Sequence, residues 1–152
     1  MTNYKDNKLL EKIKSEINEN KILEELTKEY DITDMLNYNE FNVNEKLQTN
    51  SYYQEQFRLL YIAEKQKLQR LENKFNELAG KKFDYYKYKD ARDLTKTEIE
   101  KYYLPADKEL IKYKKLIELQ NTKVEFFSAL SEAFKSQGFN MKSFIEVLKI
   151  GG

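Results

Sequence analysis

Between Lys81 and Arg92 the chain reads KKFDYYKYKDAR. Five cations, Lys81, Lys82, Lys87, Lys89 and Arg92, alternate there with Phe83, Tyr85, Tyr86 and Tyr88, against only Asp84 and Asp90. Single-stranded nucleic acid needs both ingredients from a protein. Cations neutralise its phosphates, and aromatic faces restore stacking to its bases at about 1 to 3 kcal/mol per base. The segment therefore points to backbone-directed binding of a single strand, and it lacks the Asn, Gln and Arg arrangement that reads base edges in a groove. A plainer reading stands beside this one. In it the lysines solvate a helix end and the tyrosine rings pack on the core with their hydroxyls in water. Upstream, Lys65, Lys67, Arg70 and Lys74 either extend the basic stripe or belong to a solvated face laced by pairs such as Lys74 with Glu77.

Other chemistries have little to work with. The 152 residues include neither Cys nor His, which removes thiolate and imidazole zinc ligation, disulfides, His-assisted nucleophiles and a histidine pH switch. Four glycines form neither GxxxxGK[ST] nor GxGxxG, so no phosphate-cradling loop is expected. Asp31 with Asp34, and Asp90 with Asp93, have spacings that suit magnesium or acid–base work, but such spacings are commonplace among 26 acidic residues. No catalytic residue, metal or cofactor is expected.

The elements that must carry the basic segment are helical. With 35% charged residues, four Gly and one Pro, the composition suits long helices, and no strand signal of comparable length appears. Leu9, Leu10, Ile13, Ile17, Leu23, Leu26 and Tyr30 predict an amphipathic helix from Asp6 to Tyr30. Five asparagines between Asn37 and Asn50 read as a connector, so the chain divides into an acidic helical segment (1–36), a connector (37–50) and a helical DNA-binding and oligomerisation region (51–152) within one domain. From Tyr53 the period resumes through Phe57, Tyr61, Leu68, Leu71, Phe75 and Leu78, with Glu64 on the seam and Gly80 closing the helix. Thr95 with Glu98 suggests a capping box, and Pro105 suits the first turn of a second long helix with Asp107 and Glu109 near its start. Leu110, Tyr113, Ile117, Val124, Phe127 and Phe134 form its seam, with Gln120 and Ser131 at two core positions. Gly138 reads as its C-cap, and Asn140 as the cap of a short last helix carrying Met141, Phe144, Ile145 and Leu148.

Two such seams are more than one small domain buries on itself. The expectation is an all-α homo-oligomer larger than a dimer, with Phe127, Leu130, Phe134, Phe139 and Phe144 on the seam between subunits. Charge is uneven: residues 1–50 hold 7 basic and 11 acidic groups, residues 51–152 hold 20 and 15. The acidic beginning is thus followed by a basic remainder. Neither a signal segment nor a membrane span is evident, which favours a soluble intracellular protein.

Leu104-Pro105-Ala106-Asp107-Lys108, then Phe126 with Ser128, then Ala133-Phe134-Lys135-Ser136-Gln137-Gly138-Phe139 and Lys142, resembles the phage recombination mediator UvsY family. In that family an L-x-A-D-K block is followed, at this same spacing, by D-F-x-S and A-x-K-S-x-G-F-x-x-K. The match is ungapped from Leu104 to Lys142, Asp84-Tyr85-Tyr86 repeats the family's D-Y-Y, and a weaker echo lies at Ile22 to Leu26 and Ile32. The resemblance implies a helical, ring-like homo-oligomer without catalysis of its own. Such a protein binds single-stranded DNA, weakens the grip of the phage single-strand-binding protein and helps load the phage RecA-like recombinase, in the cytoplasm of the infected bacterial host. A family DNA-binding element, K-A-R-L, aligns with Gly80, Lys81, Lys82 and Phe83. Only Lys82 keeps a basic position, with Lys81 beside it in place of the alanine. A coiled-coil scaffold or adaptor that never touches DNA is the rival reading.

Overall fold

A computed structural model of the chain describes residues 32–151 together with Glu24, Glu25 and Lys28. The helix expected from Asp6 to Tyr30 lies outside the described residues, apart from those last three, which are helical and exposed. Four α-helices follow in order: α1 (Ile32–Leu36), α2 (Val43–Asp84), α3 (Lys96–Glu98) and α4 (Lys108–Gly151). Two single π-helical turns, Tyr85–Lys89 and Ile99–Tyr103, follow α2 and α3. Among the described residues there is no strand, and no helix is long and apolar enough to cross a membrane.

Asparagines start α2 earlier than the Tyr53 at which the apolar period resumes. The Asn39 side-chain carbonyl accepts from the N–H groups of Phe41 and Asn42 at 2.9 and 3.0 Å, while Asn42 reaches back to accept from the Asn39 N–H at 2.7 Å. That reciprocal pair is a capping box built from two asparagines, and it starts a helix inside the segment expected as connector. Gly80 does not end α2, which runs on to Asp84.

The described residues fall into two compact units, each built from parts of both long helices. One comprises residues 32–65 and 122–151. In it α2 and α4 pair antiparallel: Phe57 stacks on Phe127 and Phe134 at centroid distances of 6.3 and 5.3 Å, and Tyr53 tilts against Phe134 at 5.6 Å. Glu64, which interrupts the apolar seam, is buried and meets the Lys123 ammonium at 3.6 Å, so the charge taken out of water keeps a counter-charge. Asn50 is buried too, and its amide donates to the Phe134 carbonyl at 2.8 Å.

That last contact explains Gly138. A Cβ there would lie 2.8 Å from the Asn50 amide nitrogen, so the glycine permits close approach of two helices. It is not a C-cap: no described glycine has positive φ, and α4 continues unbroken past Gly138 and Asn140 to Gly151. The expected short last helix is therefore the end of α4. The chain before α2 closes on the same region, with Gln137 donating to the Leu36 carbonyl at 2.6 Å and Tyr38 meeting Phe144 edge-on at 5.3 Å.

The second unit comprises Gln66–Asn121 among the described residues. Its core includes Leu94, Ile99, Leu110, Leu116 and Leu119. The Thr95 hydroxyl accepts from the Glu98 N–H at 3.2 Å and so starts α3 as the spacing predicts. Asp107 caps α4 by accepting from the N–H groups of Glu109 and Leu110 at 3.0 and 3.2 Å.

Candidate nucleic-acid interface

The basic, tyrosine-bearing segment occupies the last turn of α2 and the π-helical turn after it. That turn is closed by the Asp90 N–H donating to the Tyr85 carbonyl at 2.9 Å, and a matching bond from Leu104 to Ile99, also 2.9 Å, closes the second. A π-turn adds a residue to the helical repeat, so side chains that follow it leave in new directions, and such turns are frequent at functional sites. The first turn sorts its residues into two groups.

One group holds the segment in place. Lys82 lies 3.4 Å from an Asp107 carboxylate oxygen and 3.5 Å from Glu109, while the Tyr86 hydroxyl donates to the same Asp107 oxygen at 3.0 Å. Arg92 grips Asp90 through Nε and Nη2 at 2.9 and 2.8 Å, donates from Nη1 to the Tyr103 hydroxyl at 3.1 Å, and lies over the Tyr103 ring at 4.5 Å. Tyr103 also packs against Tyr86 at 5.5 Å, so the two π-turns are joined through rings and a guanidinium. Lys87 donates to the Leu94 carbonyl at 3.2 Å.

Burial works to raise the Asp107 carboxyl. The Leu110 N–H, the Tyr86 hydroxyl and the Lys82 ammonium outweigh it and hold the group below its usual range. Tyr86 is pushed up, first by burial and then by its bond to Asp107. The Arg92 side chain and N–H bring Asp90 down to about 2, and Arg92 is raised in return. The Asp90 carboxylate is thereby held by a guanidinium, and among the described residues no group of acidic side chains is placed to hold a metal ion.

The other group faces solvent. Tyr88 is 77% exposed and Tyr85 49%, and Lys81 and Lys89 are exposed, Lys81 within reach of Glu77 at 3.5 Å. A surface pair of that kind is worth little, so Lys81 is readily exchanged onto another anion. The structure thus brings Lys82, Tyr86 and Arg92 together in a cluster around Asp107, Asp90 and Tyr103, sets Tyr85 at its edge with its ring edge-on to Tyr86 at 5.5 Å, and leaves Lys81, Tyr88 and Lys89 outside it.

Asp107 and Tyr103 organise this site, and sequence reasoning gave them no such part. Asp107 was legible as a charge near a helix start, but nothing in its spacing shows that Lys82 and Tyr86 return to it. Tyr102, 68% exposed, lies beside the half-buried Tyr103. Of the set expected between subunits, Phe127, Leu130 and Phe134 are buried within the chain itself, Phe144 is half-buried against Tyr38, and Phe139 is 62% exposed. Phe57 covers the first and third of these from inside the same unit, a partner that α4's own periodicity could not name.

Fold and segment together define an all-α protein of two long helices bearing a basic, tyrosine-rich π-turn. The family model "Recombination, repair and ssDNA binding protein UvsY" matches residues 25–151, and the chain belongs to that family. Two crystal structures of the bacteriophage T4 recombination mediator protein UvsY share the fold. One, lattice type IV, aligns with a TM-score of 0.73 at 19% identity over 86% of this chain and 98% of that one. The other, lattice type II, aligns with a TM-score of 0.73 at 20% identity over 85% and 96%. Comparison with curated protein sequences gives no match.

Proposed function

We propose that this chain is a recombination mediator. It binds single-stranded DNA, weakens the hold of the phage single-strand-binding protein on that strand and promotes loading of a RecA-like phage recombinase, acting in the host cytoplasm as a ring-like homo-oligomer. The observation that carries the reading is membership of a single-strand-binding recombination family over residues 25–151, in a chain that presents Lys81, Tyr85, Tyr88 and Lys89 to solvent beside a π-turn. Lys87 adds its charge from the Leu94 carbonyl, whereas Lys82, Tyr86 and Arg92 serve the site by fixing the turn.

Contacts of this kind follow the strand's backbone, so sequence preference is slight and affinity falls steeply with salt. Each patch is weak. A ring multiplies it, because sites tethered on one strand meet at high effective concentration. Fluorescence anisotropy of a labelled single-stranded oligonucleotide across a salt series tests the binding: a mediator gives a steep negative slope of log affinity on log salt, and a scaffold shows no salt-sensitive binding at all. The mediator step itself is read from the rate at which a RecA-like recombinase assembles on a strand already coated with single-strand-binding protein. An unchanged rate on adding this chain removes that step.

A further inference from the structure

Three of the five cations of the basic segment are already held inside the chain: Lys82 with Asp107 and Glu109, Arg92 with Asp90, and Lys87 with a backbone carbonyl. A polyanion taking over such a cation must first displace its partner, which reduces the net gain. Unpaired cations give more, since only small counterions leave. In the same unit, the first turns of α4 carry Lys108, Ile111, Lys112 and Lys115 at positions i, i+3, i+4 and i+7, which share one helix face. All four are exposed, Ile111 to 50%, and among the described residues none of the three lysines has an ion pair or hydrogen bond from its side chain. Asp107, by contrast, is buried and faces Lys82 and Tyr86, and Glu109 faces Lys82. The stripe spans about 10 Å along the helix at 1.5 Å per residue. The half-exposed Ile111 among the three lysines gives sugar and base edges an apolar surface between the phosphate contacts.

We propose that the Lys108, Lys112 and Lys115 stripe of α4 is a second phosphate-binding surface for single-stranded DNA, distinct from the tyrosine-bearing π-turn. It rests on the reading that the chain binds single-stranded DNA, and it assigns a large share of the salt-dependent affinity to a helix face outside the basic segment. Lys114, also exposed, lies about a third of a turn away from that face and is outside the stripe.

Anisotropy of a fluorescein-labelled oligothymidylate across a salt series, on the full chain, tests the assignment. Parent protein is compared with a Lys108→Gln, Lys112→Gln, Lys115→Gln variant, with Lys112→Gln alone and with Lys114→Gln. Single-strand contacts contribute about 0.7 each to the slope, so for every subunit the strand touches the triple variant should be shallower by about 2 and Lys112→Gln by about 0.7, and the triple variant should bind at least about tenfold more weakly at low salt. Lys114→Gln should match the parent. If the parent binds and the triple variant keeps its slope and affinity, the stripe is wrong while the mediator reading stands. If Lys114→Gln equals Lys112→Gln, the effect is diffuse charge and the stripe is equally wrong. A parent that fails to bind the oligonucleotide sinks both. Should the triple variant lose its helical circular dichroism, Lys112→Gln against Lys114→Gln decides alone.

Discussion

Asp107 has four neighbours to satisfy at once: the N–H groups of Glu109 and Leu110, the Tyr86 hydroxyl and the Lys82 ammonium. Asp107→Ala removes a helix cap, strips the Tyr86 hydroxyl of its acceptor and leaves the Lys82 ammonium with Glu109 alone, so thermal or denaturant unfolding should show a loss of about 2 kcal/mol. The pH dependence follows from the lowered carboxyl. A carboxylate whose folded value lies below its unfolded one stabilises fully above the unfolded value, near 4, and loses that contribution as pH falls through the folded value. Asp90, lowered to about 2, acts in the same direction. Melting temperature should therefore drop as pH is lowered from about 4 to about 2, and Asp107→Asn should lose less over that window than the parent, because its amide does not titrate. The two groups of tyrosines part on a different pair of measurements. Tyr86→Phe should cost about 1 kcal/mol of stability through the lost donor and leave the salt slope of DNA binding unchanged. Tyr88→Ala should leave the melting temperature alone and weaken DNA binding by about 1 kcal/mol, roughly five- to tenfold, at every salt concentration. A Tyr88→Ala variant that melts early but binds normally would place that ring in the fold and take it out of the interface.

Glycines at two places in the long helices make opposite forecasts from one substitution. Gly80 lies exposed in α2 with nothing within 4 Å of where a Cβ would stand, so Gly80→Ala should stabilise by about 1 kcal/mol through helix propensity. At Gly138 the same gain is outweighed. The new methyl would displace the buried Asn50 amide from the Phe134 carbonyl, and a buried amide stranded without its acceptor costs about 1 to 3 kcal/mol, so Gly138→Ala should gain nothing and lose up to about 2 kcal/mol net. Equal melting temperatures for the two variants would contradict the close approach at Gly138. These glycines also mark what could be read in advance. Periodicity located both long helices because Phe57 and Leu110, Val124, Phe127 and Phe134 recur on one face each, and local chemistry located Thr95, whereas Pro105 lies in the turn before α4 and not in its first turn, which Asp107 caps. It failed where one residue type has two uses. Asn39 and Asn42 suit a turn or a cap, and only their mutual bonds show that they cap. Glycine ends a helix or lets another helix come close, and the difference lies in Asn50, far away in sequence. The candidate segment was legible by composition, but its division into anchored and outward residues depends on Asp107 and Tyr103, which reach it from beyond the segment.

Assembly belongs to the whole molecule, and the burial of Phe134 at 0% exposure changes which residues should carry it. A ring of identical subunits needs two different faces that fit each other. Phe127, Leu130 and Phe134 form no such face, because Phe57 and Tyr53 already cover Phe134 within the chain. Towards its end α4 exposes Phe139, Val147 and Ile150 most, at 62, 65 and 88%, and their spacing puts them within about 80° of one another on the side of the helix away from Met141. On α2, Tyr52, Leu59 and Ile62 are likewise exposed and lie on a common face. In the proposed ring the α4 stripe of one subunit would face the α2 stripe of the next, a heterologous contact that extends beyond a dimer when every copy uses both. Phe139→Glu with Ile150→Glu should then yield monomers in sedimentation equilibrium at micromolar concentration, with helical circular dichroism retained. Binding to a long single strand should weaken far more than binding to a short one, since tethering is lost while each patch survives. Phe134→Ala should behave in the opposite way, losing about 3 to 5 kcal/mol of stability from a core cavity before assembly is affected. A double glutamate variant that stays fully assembled would exclude the Phe139 and Ile150 stripe from the contact and leave the α2 face to be tested by Leu59→Glu.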